Sequence, residues 1–157
     1  DATPLNELRT LTGEDPPRDV RALLMISTGD TAGARQLLTA PYEVWVEEKR
    51  GALGAWASEP WPLRAYGLLQ LHENQRALDL LEHYDPEMLD PRGFSTTYGA
   101  AGMIRMLRGM ALERLDRRTE AAREYRAVLA QWEGADPKLV PFLNEVRLAL
   151  GRVTGTG

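Results

Sequence analysis

The residues able to do chemistry are few and poorly spaced for it. The 157-residue chain has two histidines, His72 and His83, and no cysteine. A zinc site needs three or four converging ligands, and a nucleophile needs a base beside it. His72 and His83 lie at a polar turn and a helix end, with no carboxylate spaced to complete a metal site, so both read as structural or solvated. Lack of cysteine removes disulfide scaffolds, cysteine-ligated zinc, iron–sulfur clusters and thiol catalysis, and is compatible with either redox compartment. Asp79 and Glu82 sit three apart on one helical stretch, a common surface spacing. Glu47-Glu48-Lys49-Arg50 mixes signs as a solvated face does. There is no Walker-type glycine loop and no Gly-x-Ser-x-Gly elbow. Gly99-Ala100-Ala101-Gly102 reads as a close helix crossing. The expectation is a protein that is not an enzyme, with no catalytic residue, no metal ligand and no cofactor.

Charge narrows the partners. A net charge of −4 argues against a general nucleic-acid binder, which carries a basic patch. Nearly all the positive charge is arginine, with lysine only at Lys49 and Lys138. The apolar content of 43% beside 27% charged residues is that of a globular chain. No apolar run approaches the roughly 20 residues of a membrane span, so no membrane insertion is expected. Asp1 rather than Met opens the chain, which points to a piece or processed form of something longer.

The elements that must position any site are helical. Asp15-Pro16-Pro17 is a start signal, an N-cap acid before prolines tolerated in a first turn. Val20, Leu23 and Leu24 follow at helical spacing until Gly29-Asp30, and Thr31–Ala40 brings Ala34, Leu37 and Leu38 onto one face. A second copy opens at Ser58-Glu59-Pro60, breaks at His72–Gln75 and closes at Asp85-Pro86. A third runs through Met103, Ile104, Leu107 and Leu112, breaks at Asp116-Arg117-Arg118 and resumes to Trp132. Ser95, Thr96 or Thr97 is the expected cap of its first helix. A last helix from Pro137 carries Leu139, Leu143, Val146, Leu150 and Val153 on one stripe.

Small residues align the copies. Ala22, Ala65 and Gly109 are 43 and then 44 residues apart, and so are Ala34, Ala77 and Ala121. Large apolar residues share two further columns: Met25, Leu68 and Leu112, then Leu38, Leu81 and Tyr125. Two antiparallel helices approach closely only where their crossing lacks bulk, so small residues meet there and large ones fill the flanks. One hairpin cannot bury its apolar face alone, whereas several stacked hairpins share a core.

This spacing, small–x2–large–x8–small–x3–large, resembles the tetratricopeptide repeat. The third copy, Leu107-Arg108-Gly109-Met110-Ala111-Leu112 through Glu120-Ala121-Ala122 to Tyr125, matches best, and the resemblance covers residues 15–153. The period departs from the family's, which is about 34 residues. The additional residues fall at 41–57 and 85–97. The resemblance implies an all-α, right-handed superhelix: a solenoid of three hairpins (about 15–40, 58–85 and 96–133) with an insert helix and a C-terminal capping helix over about 137–153. Residues 1–14 read as a flexible segment and 154–157 as a disordered tail. Tyr125–Trp132 followed by Ala135-Asp136-Pro137 resembles a subtype found at the C-terminus of large bacterial signalling proteins, among them serine/threonine kinases and transcriptional regulators.

The function implied is protein–protein interaction or scaffolding, with a peptide or partner helix bound in a concave groove lined by the first helix of each hairpin. The groove candidates are Leu23, Ile26, Tyr66, Leu69, Tyr98, Arg105, Met106, Arg108 and Met110. Methionine and aromatic side chains would take an apolar segment while arginines grip its acidic groups. The competing expectation is that these side chains pack inside the repeat. Trp45, Trp56 and Trp61 cluster around the first insert. Exposed together they would mark an interface, such as a homodimer, which is the architectural alternative to a groove binder.

Overall fold

The computed structural model describes residues 15–40, 61–82 and 95–155, and among these the regular structure is entirely helical, seven α-helices and one 3-10 turn. The insert helix expected over 41–57, with Trp45 and Trp56, lies outside the described residues, as does segment 1–14. The chain divides into two compact units, Asp1–His72 and Glu73–Gly157.

The first unit holds α1 (Arg18–Ser27), α2 (Thr31–Leu38) and α3 (Trp61–Gln70). Pro17, not Asp15, occupies the cap position of α1, and no side chain caps that helix. The Pro17 carbonyl accepts the Arg21 N–H at 2.9 Å, so proline fixes the entry angle and loses no donor the helix needs. Gly29, at φ 88°, ends α1. Asp30 N–H then donates back to the Met25 carbonyl at 2.8 Å and Gly29 N–H to Ile26 at 3.1 Å, which satisfies carbonyls left over at the helix end. The Asp30 carboxylate next accepts the Gly33 N–H at 2.9 Å, so one residue closes one helix and caps the other. Ala22, Ala34, Leu38, Ala65 and Leu69 are wholly buried. Helix α3 packs on both α1 and α2, where Gly67 leaves room for the Leu38 side chain.

The second unit holds α4 (Asn74–Glu82), α5 (Ser95–Arg114), α6 (Arg118–Gln131), the 3-10 turn Pro137–Leu139 and α7 (Val140–Thr154). Helix α5 packs on α4 and α6, and α6 on α7. Tyr125 of α6 is 1% exposed and lies over Gly109 of α5. Trp132 covers Gly102 so closely that any side chain there would run into the indole, the close approach the Gly-x-x-Gly spacing suggested. Its ring also meets Phe142, with centroids 5.0 Å apart. Asp136 caps the 3-10 turn through the Lys138 N–H at 2.8 Å. The buried stripe of α7 is Leu143, Val146, Ala149 and Val153, whereas Leu139 lies in the 3-10 turn and is exposed. Thr154, expected in the tail, belongs to the helix, and Gly155 follows it at φ 71°.

Three of the four repeat columns are buried in every copy, and in the fourth Leu68 and Leu112 are buried while Met25 is only partly so. Ala22, Ala65 and Gly109 are buried, as are Ala34, Ala77 and Ala121, and Leu38, Leu81 and Tyr125. The turns that follow the first helices place Gly29, His72 and Asp116 at φ 88°, 61° and 58°. These left-handed residues are again 43 and 44 apart. Histidine and aspartate are among the non-glycine types that tolerate this region best. After α5, Arg117 N–H reaches back to the Leu112 carbonyl at 2.9 Å and Asp116 N–H to Glu113 at 3.1 Å, the same pair of bonds that ends α1. His72 is thus a turn residue.

Candidate partner-binding cleft

A cleft of about 260 Å³ opens in the second unit between α5 and α7, floored by Tyr125 of α6. Met106 and Met110, one helical turn apart on α5, form one wall, and Val146, Leu148 and Ala149 of α7 form the other. Glu145 and Arg152 lie at its rim. Leu148 is 67% exposed, the least covered large apolar side chain among the described residues. It sits beside methionines, whose unbranched thioethers repack readily around different shapes. Covering Leu148 would recover about 1–2 kcal/mol, a partial share of the value of a fully buried leucine.

The polar end is a closed triad. The Glu113 carboxylate accepts the Tyr125 hydroxyl at 2.8 Å and the Arg152 guanidinium at 2.8 and 3.2 Å. Partial burial works against ionisation of Glu113. The hydrogen bonds from Arg152 and Tyr125, with the charges of Arg152 and Arg114, outweigh it and hold the carboxyl below its ordinary range. Burial, then the bond to Glu113 and its negative charge, push the Tyr125 hydroxyl far above its usual value. Both Glu113 oxygens accept hydrogen bonds, one from Arg152 and the other from Arg152 and Tyr125, so the triad ties α5, α6 and α7 together. Among the described residues no group of three or more acidic, histidine or cysteine side chains could hold a metal. No described helix is long and apolar enough to cross a membrane.

The groove candidates separate by environment. Met106 and Met110 line the cleft, and Met103, on the same stripe, is 46% exposed outside it. Arg105 reaches the buried Glu124 of α6 at 3.5 Å, so its charge is engaged between helices. Arg108 donates through Nε and Nη2 to the Leu81 carbonyl at 3.2 and 2.6 Å, a packing role rather than a grip on a partner. In the first unit Leu69 is 0% exposed and has no surface to offer. Leu23 and Ile26 are partly buried, and Tyr66 is 42% exposed. The side chains of Tyr98 and Trp61 lie outside the described residues.

Sequence reasoning missed an arginine column one residue before the shared small position. Arg64 of α3 donates to the Leu38 carbonyl at 2.9 Å and to Ala40 at 2.6 Å, as Arg108 of α5 does to Leu81. Leu38 ends α2 and Leu81 lies in the last turn of α4, so each arginine satisfies carbonyls that a helix end leaves unpaired. Burial, with the nearby Arg18 charge, pulls the Arg64 guanidinium down to about 10. The signal was present, because Arg21, Arg64 and Arg108 follow the same 43- and 44-residue spacing. Glu113 and Arg152 gave no such signal: they meet across 39 positions of sequence. No family model matches the chain, and no curated protein or solved structure is similar enough to be compared with it.

Proposed function

We propose that this chain is a protein-interaction module of tetratricopeptide type, a scaffolding or regulatory part of a larger bacterial protein, and that its second unit takes an apolar anchor of a peptide or partner helix between α5 and α7. What supports this reading is Leu148, held largely in solvent opposite Met106 and Met110 in a cleft whose end is braced by Glu113, Arg152 and Tyr125. Binding surfaces keep apolar groups exposed where a monomer would otherwise cover them. The right-handed superhelix belongs to the same proposal and rests on the repeat spacing.

Selection of displayed random peptides on the immobilised chain tests it. Enriched peptides should share a large apolar residue and lose binding to Leu148→Glu and Met110→Glu variants that melt like the parent. Peptides that bind both variants unchanged would refute the site. Light scattering over a concentration series tests the architectural alternative: a mass near 17.5 kDa throughout leaves the cleft open to a partner, and a stable dimer makes self-association the function.

A further inference from the structure

Among the described residues the arginine column has one member whose side chain bonds to nothing. Arg64 and Arg108 each close the C-terminal end of a second helix, but the Arg21 side chain makes no hydrogen bond or ion pair among the described residues. The rest of that face shows the same contrast. Gly67 and Ala111, one turn on from Arg64 and Arg108, are buried, and Leu24, in the same column on α1, is only partly so. Leu71 is buried and Leu115 partly so, whereas their counterpart is the exposed Thr28.

We propose that the face of α1 carrying Arg21 and Leu24 is a docking surface for the C-terminal end of one further hairpin of this same repeat. Charge complementarity identifies the occupant. A guanidinium at this position meets helix-end carbonyls at both places where a helix is present, and those carbonyls carry the negative end of the helix dipole. Size refines it. Gly67 accommodates the Leu38 side chain, so Leu24 fills the space that such a leucine would take. The docking helix therefore carries a small residue where α2 carries Leu38. The surface is independent of the α5–α7 cleft, so either assignment can fail alone.

A tandem chain tests this, with residues 15–57 repeated once immediately before Asp15. That adds one 43-residue period and sets the added copy's position 38 the same 26 residues ahead of the original Arg21 as Leu38 stands ahead of Arg64. The added copy carries Leu38→Ala. The original Arg21→Ala should then lower the tandem's melting midpoint by about 3 °C or more, yet move the unextended chain by less than about 1 °C. Equal shifts in the two chains would overturn the proposal. If the tandem does not melt cooperatively, the Arg21 Nε–H resonance of the original copy in the tandem is compared with that of the unextended chain. Movement of the Arg21 Nε–H resonance supports docking, and an unmoved resonance overturns it.

Discussion

Gly109→Ala sets two effects against each other at one atom. Within a helix, alanine is favoured over glycine by about 1 kcal/mol, so on an open helix surface the change would stabilise. At position 109 the new Cβ would lie 2.5 Å from Cε1, 2.8 Å from Cδ1 and 3.0 Å from Cζ of Tyr125. Ordinary carbon contacts fall at about 3.5–4.0 Å, so the ring must shift by about 1 Å. It has little freedom to do so, being 1% exposed with its hydroxyl tied to Glu113 at 2.8 Å. Overpacking of a tight core costs about 1–3 kcal/mol, and if the ring is as fixed as its contacts indicate the cost lies towards the upper end. Net of the propensity gain, a loss of about 1–2 kcal/mol is expected, or about 2–8 °C in melting midpoint. The repeat supplies a control. The first two copies hold Ala22 with Leu38 and Ala65 with Leu81 in these columns, so Gly109→Ala with Tyr125→Leu rebuilds the pairing they use. The double variant should therefore be more stable than the two single changes predict by adding. Urea and thermal unfolding of all four proteins measure the coupling. A Gly109→Ala protein as stable as the parent would refute the close approach and, with it, the register of the third copy.

Arg64→Ala strands the Leu38 and Ala40 carbonyls and should cost about 1–3 kcal/mol in urea unfolding, with Arg64→Lys recovering only part because a single ammonium cannot span both oxygens. Ala121→Leu should lower stability by about 1–3 kcal/mol, since position 121 is fully buried at a helix crossing. Glu113 is held below the free-carboxyl value of 4.5, so the stability it contributes is complete above that value and is lost as pH falls through its folded value. Melting midpoint against pH should therefore drop more steeply below about pH 4.5 in the parent than in Glu113→Gln. Leu148→Glu should leave the midpoint within about 1 °C, because an exposed position away from packing contributes little to folding.

What the sequence made legible was whatever repeats. The small columns and the breaks at Gly29, His72 and Asp116 follow from one steric rule applied three times, and the helical phase of each copy could be read without the others, whereas the helix ends could not: Pro17 rather than Asp15 precedes α1, and Thr154 belongs to α7. Burial within a helix was harder. Leu69 and Tyr66 are three apart, but α3 packs on two neighbours and covers Leu69 completely while leaving Tyr66 exposed. Spacing along one helix does not say how many neighbours it has. The cleft was illegible for a different reason. Met106 and Met110 were identifiable as a stripe, but the opposing wall depends on how α7 sets down on α6, and Glu113 with Arg152 is a single long-range pairing without an internal copy to betray it.

The arginine column also separates two faces of α5, one used in packing and one that lines the cleft. Arg108 was expected to grip a partner and instead bonds the Leu81 carbonyl, whereas the Met110 two residues later faces the cleft. On an α-helix two residues are separated by about 200°, so these positions must point to opposite sides. The face that carries Arg108 is therefore used up in joining α5 to α4, and the far side is left for the methionines. Substituting Arg108 would weaken any binding only through loss of fold, with midpoint and affinity falling together. Substituting Met110→Glu, partly exposed at the cleft wall, should remove affinity at a largely preserved midpoint. Measuring both quantities for both variants separates the two faces, and a Met110→Glu protein that loses stability as Arg108→Ala does would assign the methionines to the core.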